Sequence, residues 1–295
     1  MTSDRRTFLR NTTLLSSGIF LTPKQLFKPG KPTIGLQLYT VRDAMASDPI
    51  GTLAKVAAIG YNSVEGATYT GTEKFYGMSP KDFKAVLNNN GLKMQSSHYR
   101  LGEQQEGDKI VQGTILHDWD RVVDDAATLG LKYMVCAFLT PSERGSLDHY
   151  KYVADQLNIA GERCKKSGIQ LCYHNHNFEF IKQDGKYPYD ILLGSDKDLV
   201  KMEMDIYWVT KARQNPISLF QAHPGRFPLW HVKDMDRTPE EGFAAVGTGI
   251  IDFKEIFRHK KEAGLKYFFV EQDNCPGSPF ISIQESYSYI KRNLV

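Results

Sequence analysis

The chain has 295 residues and 41% hydrophobic content, enough for one large core. Its 37 basic residues nearly balance 34 acidic ones, and the net charge of +3 supplies no electrostatic footprint for nucleic acid or an anionic membrane. Length alone does not argue for two domains, because α/β barrels of about 250 residues fold as one.

The first thirty residues differ from the rest. Paired arginines, Arg5 and Arg6, precede a modest apolar run over residues 13–21 and a Pro-Lys-rich exit. This order of charge, apolar run and exit is that of a twin-arginine export signal, so residues 1–30 are expected to direct export to the periplasm and to be removed. The run is shorter than the roughly 20 apolar residues that span a bilayer, which excludes stable membrane insertion by this segment.

From residue 31 onward, short β-rich runs alternate with helical stretches. Strands are predicted at 33–39, 63–66, 93–98, 133–138, 170–176, 200–206, 229–233 and 267–272. Several are continuously apolar through their first half, as parallel strands covered on both faces require. Helices are predicted at 49–58 after Asp48, at 80–89 after Ser79, and at 119–129 after Asp118, each preceding residue a plausible N-cap. Five junctions run helix, glycine, strand: Gly60, Gly91, Gly130, Gly168 and Gly264. Glycine reaches positive φ cheaply at a helix end and turns the chain into the next strand. Eight such units predict a single-domain (β/α)₈ TIM barrel over residues 31–295. An open doubly wound sheet is disfavoured, since no G-x-G-x-x-G follows the first strand. Cys136, Cys164, Cys172 and Cys275 lack C-x-x-C spacing and are expected to be free thiols, not a zinc site.

In a barrel, function belongs at the C-terminal ends of the strands. There the sequence places Glu65, His98, His174, His176, Glu179, Asp205, Trp208, His231, Lys233, Asp234 and Glu271. Glu179, Asp205 and Glu271 facing one axis would repel, and a divalent cation resolves the repulsion. With His231 they make a mostly oxygen site suited to Mn²⁺, Mg²⁺ or Co²⁺, and less to Zn²⁺. Glu65, His98, His176, Trp208 and Lys233 are candidate substrate-binding residues, and one of His174 and His176 is expected to face inward. Residues 99–117 form a long polar loop suited to a lid. The Gly247-Thr248-Gly249 run is a weak candidate for binding phosphate.

The stretches IGLQLYTVRD (34–43), GYNSVEGA (60–67), YHNHNFEF (173–180), MEMDIYWV (202–209), WHVKDMD (230–236), VGTGIIDFKEIF (246–257) and FFVEQD (268–273) carry a resemblance. They resemble the sugar phosphate isomerase/epimerase group of xylose isomerase-like barrels. The resemblance implies a metal held by Glu179, Asp205, His231 and Glu271. It also implies Glu179 and Glu271 as the proton-transfer pair, working next to the carbonyl of a sugar or keto-sugar through an enediolate. Trp208 stands where the ketose 3-epimerases usually carry a histidine, so a free ketose fits less well than a 3-keto-glycoside. The same enolate chemistry leads either to isomerisation or epimerisation, or to a lyase or hydrolase reaction that expels a β-leaving group. A non-catalytic periplasmic sugar-binding protein is a third reading. An apurinic-site endonuclease would need more histidine ligands and a basic groove. The resemblance leaves monomer and homodimer both open.

Overall fold

The eight expected strands are all present, each paired in parallel with its sequence neighbours. A computed structural model describes residues 32–102, 105, 106 and 109–295. The strands are β1 (Gly35–Gln37), β2 (Ser63–Gly66), β3 (Lys93–Tyr99), β4 (Tyr133–Cys136), β5 (Gln170–His174), β6 (Val200–Asp205), β7 (Leu229–Val232) and β8 (Tyr267–Val270). They close into a barrel in sequence order, with Gly35 of β1 in register with Phe269 of β8. The helices cover the outside, giving a single-domain (β/α)₈ barrel. Residues 1–30, expected to be an export signal, lie outside the described residues. Part of the 99–117 loop does too; its described part includes a short antiparallel pair, Gln105–Glu106 with Lys109–Ile110. Among the described residues no helix is long and apolar enough to cross a membrane.

Local sequence explains the joints. The Asp48 carboxylate accepts from Gly51 N and the Ser79 hydroxyl from Asp82 N, capping the helices at Pro49–Ile59 and Pro80–Asn89. Asp118 departs from expectation: it sits at φ +69°, makes no capping hydrogen bond, and pairs with Arg121 instead. All five junction glycines have positive φ. The four cysteines are free, three of them buried.

Alternation along the strands separates two environments. Outward residues such as Tyr173, Met202, Met204, Trp230 and Val270 join the large core under the helices. The lumen has its own apolar floor of Val135, Cys172, Leu229 and Phe269. Two residues further along the same faces stand His174, His231 and Glu271, so the lumen turns from apolar to charged within one step of the strand period.

Candidate metal centre and cavity

Asp205, His231 and Glu271 bring their ligand atoms together, and all three are buried. His231 Nδ1 lies 2.6 Å from Glu271 Oε2 and 4.0 Å from Asp205 Oδ2. Asp205 is fixed as the N-cap of the helix Ile206–Lys211: its Oδ1 accepts from Trp208 N at 3.0 Å, and its own N–H donates to Asn175 Oδ1. That leaves Oδ2 in the lumen without a hydrogen bond of good geometry, although Lys233 Nζ is 3.0 Å away in ionic contact. Lys233 also lies 2.7 Å from Glu271 and 2.8 Å from Asp273. The Lys233 ammonium thus sits among three carboxylates, and Asp205 Oδ2 and Asp273 Oδ1 lack a hydrogen bond of good geometry. His98, His174, Glu203 and His231 form a second, overlapping group whose ligand atoms converge, so the lumen could hold a metal ion in either.

Glu179 is not part of this group. Its carboxylate accepts from Tyr173 OH at 2.6 Å and from His176 N at 2.9 Å, and burial pushes it up to about 7. The reason is strand parity. His174 points into the lumen, so Tyr173 points outward to the core, and the short helical turn Phe178–Phe180 carries Glu179 to Tyr173's side. The four-ligand set expected from the sequence therefore converges at three positions. At the end of β5 the side chain in the lumen is His174, whose Nε2 lies 3.7 Å from Asp205 Oδ2. Burial, reinforced by the charge on neighbouring His231, holds its pKa well below the ordinary value, whereas the carboxylates of Glu203, Glu271 and Glu65 outweigh burial at His231 and hold that imidazole well above it. A metal bound here would displace the His231 proton, since a ligating imidazole is neutral.

A cavity of about 660 Å³ opens from this cluster, lined among others by Tyr39, His98, Phe138, His174, His176, Lys233, Glu271 and Asp273. Both His174 and His176 line it, which corrects the expectation that one alone faces inward; residues two apart on a strand share a face. His176 stacks on Phe178, meets Phe138 edge-on and packs against Trp208, and its Nδ1 lacks a partner. Trp208 packs against His176 and is not among the residues lining the cavity. Glu65 is likewise displaced from the expected substrate position: it is fully buried and contacts His231, His98 and Gln37. His98 reaches both layers, lining the cavity while bonding Glu203 Oε2 at 2.9 Å. Burial opposes a charge on His98, but Glu65 and Glu203 outweigh it and raise the pKa to about 9.

Asp234 lies outside the convergent groups. It is buried, and its carboxylate accepts from the N–H groups of Met235, Gly247, Gly249 and Ile251. The amides of Gly247 and Gly249 thus point at Asp234 and that of Thr248 at the Ala245 carbonyl, which removes the basis for a phosphate cradle there.

Residues 53–291 match the sequence profile of the xylose isomerase-like TIM barrel family. The chain belongs to that family. Within and around it, the chain is 24% identical over 254 residues to an inosose dehydratase of Lacticaseibacillus casei, covering 72% of this chain and 82% of the relative. A sugar phosphate isomerase/epimerase from Parabacteroides distasonis superposes with a TM-score of 0.75 at 27% identity, over 90% of this chain and 95% of the other. The IOLI protein, solved with a bound zinc atom, has a TM-score of 0.68 at 16% identity, over 89% and 98% of the two chains.

Two residues of this xylose isomerase-like barrel escaped the sequence reading. Glu203 sits two positions before Asp205, and that spacing, which puts both on one strand face, was the available signal. Asp273 bears the same relation to Glu271. His174 was noticed, but not as the β5 counterpart of the other three lumen residues.

Proposed function

We propose that this chain is a metal-dependent enzyme that removes a proton next to the carbonyl of a polyhydroxylated ketone and expels a leaving group from the adjacent carbon: a lyase of the dehydratase kind, acting on a keto-cyclitol or keto-glycoside. The observation that carries this reading is the asymmetry of the two glutamates. An epimerase of the expected type needs a carboxylate on each face of the substrate, and only Glu271 lies in the cavity, Glu179 being turned into the core. With its partner turned away, Glu271 suits removing a proton and not returning it from the opposite face; the other carboxylates of the cavity lining, Glu73, Glu143 and Asp273, are not members of that pair. The inosose dehydratase relative supports the same reading.

The donor set fits a divalent ion. His174, Asp205, His231 and Glu271 would hold it, and two imidazoles with two carboxylates suit Zn²⁺, Co²⁺ or Mn²⁺ better than the all-oxygen preference of Mg²⁺. When bound, the ion supplies Lewis acidity toward a carbonyl oxygen. Glu271 takes the proton at its carboxylate, beside the cavity, and passes it to the departing oxygen, so that the C–H and C–O bonds break, a carbon–carbon double bond forms and water or an alcohol leaves. Lys233 Nζ, on the cavity wall, donates hydrogen bonds to a substrate oxygen. His98 and His176 hold hydroxyl groups, and the aromatic packing of Phe138 and Phe178 around His176 orients its ring and keeps water from that side.

The test is proton NMR in D₂O with inosose and with a 3-keto-glucoside, on protein reconstituted with Mn²⁺, Co²⁺ or Zn²⁺. Loss of water or aglycone with formation of an unsaturated carbonyl is expected. Deuterium incorporation with every carbon–oxygen bond intact would instead mark an isomerase or epimerase, and binding unaffected by metal removal would mark a sugar-binding protein.

We also infer export to the periplasm, on the strength of Arg5 and Arg6 and the apolar run after them. A reporter fused behind residues 1–30 is expected to reach the periplasm, and the Arg5→Lys/Arg6→Lys double variant to remain inside the cell; equal export of both sinks the inference.

A further inference from the structure

One layer below the proposed ligands, toward the apolar floor, the lumen holds two carboxylates with no solvent exposure, Glu65 and Glu203. Neither lines the cavity, so neither meets substrate. Glu203 Oε2 is a hub for three imidazoles: His98 Nε2 at 2.9 Å, His174 Nδ1 at 3.1 Å and His231 Nε2 at 3.2 Å. Glu65 Oε2 lies 2.5 Å from His231 Nε2 and 3.4 Å from His98 Nε2, and accepts from Gln37 Nε2 at 2.9 Å. Ionised carboxylates taken this far from water cost several kcal/mol each unless strong donors meet them. The donors here include the far nitrogens of both histidines proposed to bind metal, beside His98 and Gln37.

The two histidines are engaged from opposite sides. His174 turns Nδ1 toward Glu203 and Nε2 toward Asp205. His231 turns Nε2 toward Glu65 and Glu203, and Nδ1 toward Glu271 and Asp205. An imidazole that donates its proton through one nitrogen offers a lone pair only at the other. Resting on the metal-centre reading above, we propose that Glu203 and Glu65 are positioning residues that fix opposite tautomers in the two histidines. His174 then carries its proton on Nδ1 and binds through Nε2, while His231 carries its proton on Nε2 and binds through Nδ1. Such outer carboxylates typically account for 10- to 100-fold in metal affinity.

The experiment uses the full chain and Zn²⁺ or Mn²⁺ alone as probe. Competition with a chromophoric chelator measures affinity and stoichiometry in wild type, Glu203→Gln and Glu65→Gln, with circular dichroism and melting of the metal-free proteins as a check on folding. Glutamine retains one acceptor and the side-chain volume. One ion per chain is expected in wild type, with binding about 10- to 100-fold weaker in each variant. Affinity within twofold of wild type in both variants overturns the proposal. So does a second ion in wild type that disappears in Glu203→Gln, since Glu203 would then be a ligand. A wild-type protein that takes up no ion overturns the underlying reading of the site instead. Long-range ¹H–¹⁵N spectra of the zinc-loaded wild type test the same claim without substitution, should either variant fail to fold. They are expected to show one histidine protonated at Nδ1 and another at Nε2 in the centre, and one shared tautomer contradicts the assignment.

Discussion

Glu179 and Glu271 are both buried glutamates in the loops that follow barrel strands, yet they live in opposite worlds. Glu271 faces the lumen, where Lys233 and His231 lie 2.7 and 2.6 Å from its carboxylate and, against the effect of burial, hold its pKa well below the usual range. Glu179 faces the layer between β5 and the helices, where its partners are a phenol and an amide and burial lifts it to about 7. One is kept charged beside the cavity; the other is a neutral-leaning strut. The difference comes from which side of the strand each loop leaves, and not from residue type.

That contrast can be broken at several points. Glu271→Gln and His174→Ala each remove a proposed ligand, and turnover is expected to fall by about 10³-fold or more, in line with loss of a metal's electrostatic stabilisation. Turnover within tenfold of wild type in either would remove that residue from the centre. Lys233→Met is expected to lower kcat by about 10- to 100-fold, as loss of one charged donor does. Zinc affinity should be retained or improved in that variant, because the ammonium competes with the ion for Asp205 and Glu271; a chelator titration that shows weaker binding contradicts this. Glu179→Gln is expected to leave turnover within about threefold while costing about 1–2 kcal/mol of stability, because one buried hydrogen bond is lost.

The smallest effect is one of pH. Because the folded-state pKa of Glu179 is raised from 4.5 to about 7 by burial, its protonated form favours folding. Its contribution is complete below about pH 4.5 and fades as pH rises through about 7. Urea titrations from pH 5 to 8 are therefore expected to show wild type losing stability relative to Glu179→Gln as pH increases, and a difference that is flat with pH would sink the assignment.

Much of the fold was legible because it rests on local rules. Apolar runs gave the eight strands, and glycines 60, 91, 130, 168 and 264 marked the turns into them by a conformation other residues resist. Strand ends ran long by two residues or fewer in most cases, because β1 passes directly into the short helix Leu38–Val41 and β6 into Ile206–Lys211. The convergence of three of the four expected residues was also legible, since Asp205, His231 and Glu271 lie at or within one residue of a strand end. That of Glu179 was not, because it lies five positions past the last strand residue, His174, and a helical turn in that interval resets the facing that alternation predicts. Glu203 was missed for a different reason: a carboxylate inside a strand otherwise rich in Val and Met reads as an exception, and only the closed barrel shows it meeting His98 from β3.

The decisive measurement is an anomalous-scattering crystal structure of the protein loaded with Zn²⁺ or Mn²⁺. One peak ligated by His174 Nε2, Asp205, His231 Nδ1 and Glu271, with Glu179 still bonded to Tyr173, is the expected result. A peak that recruits Glu179 in place of His174, or none in the lumen, would contradict it.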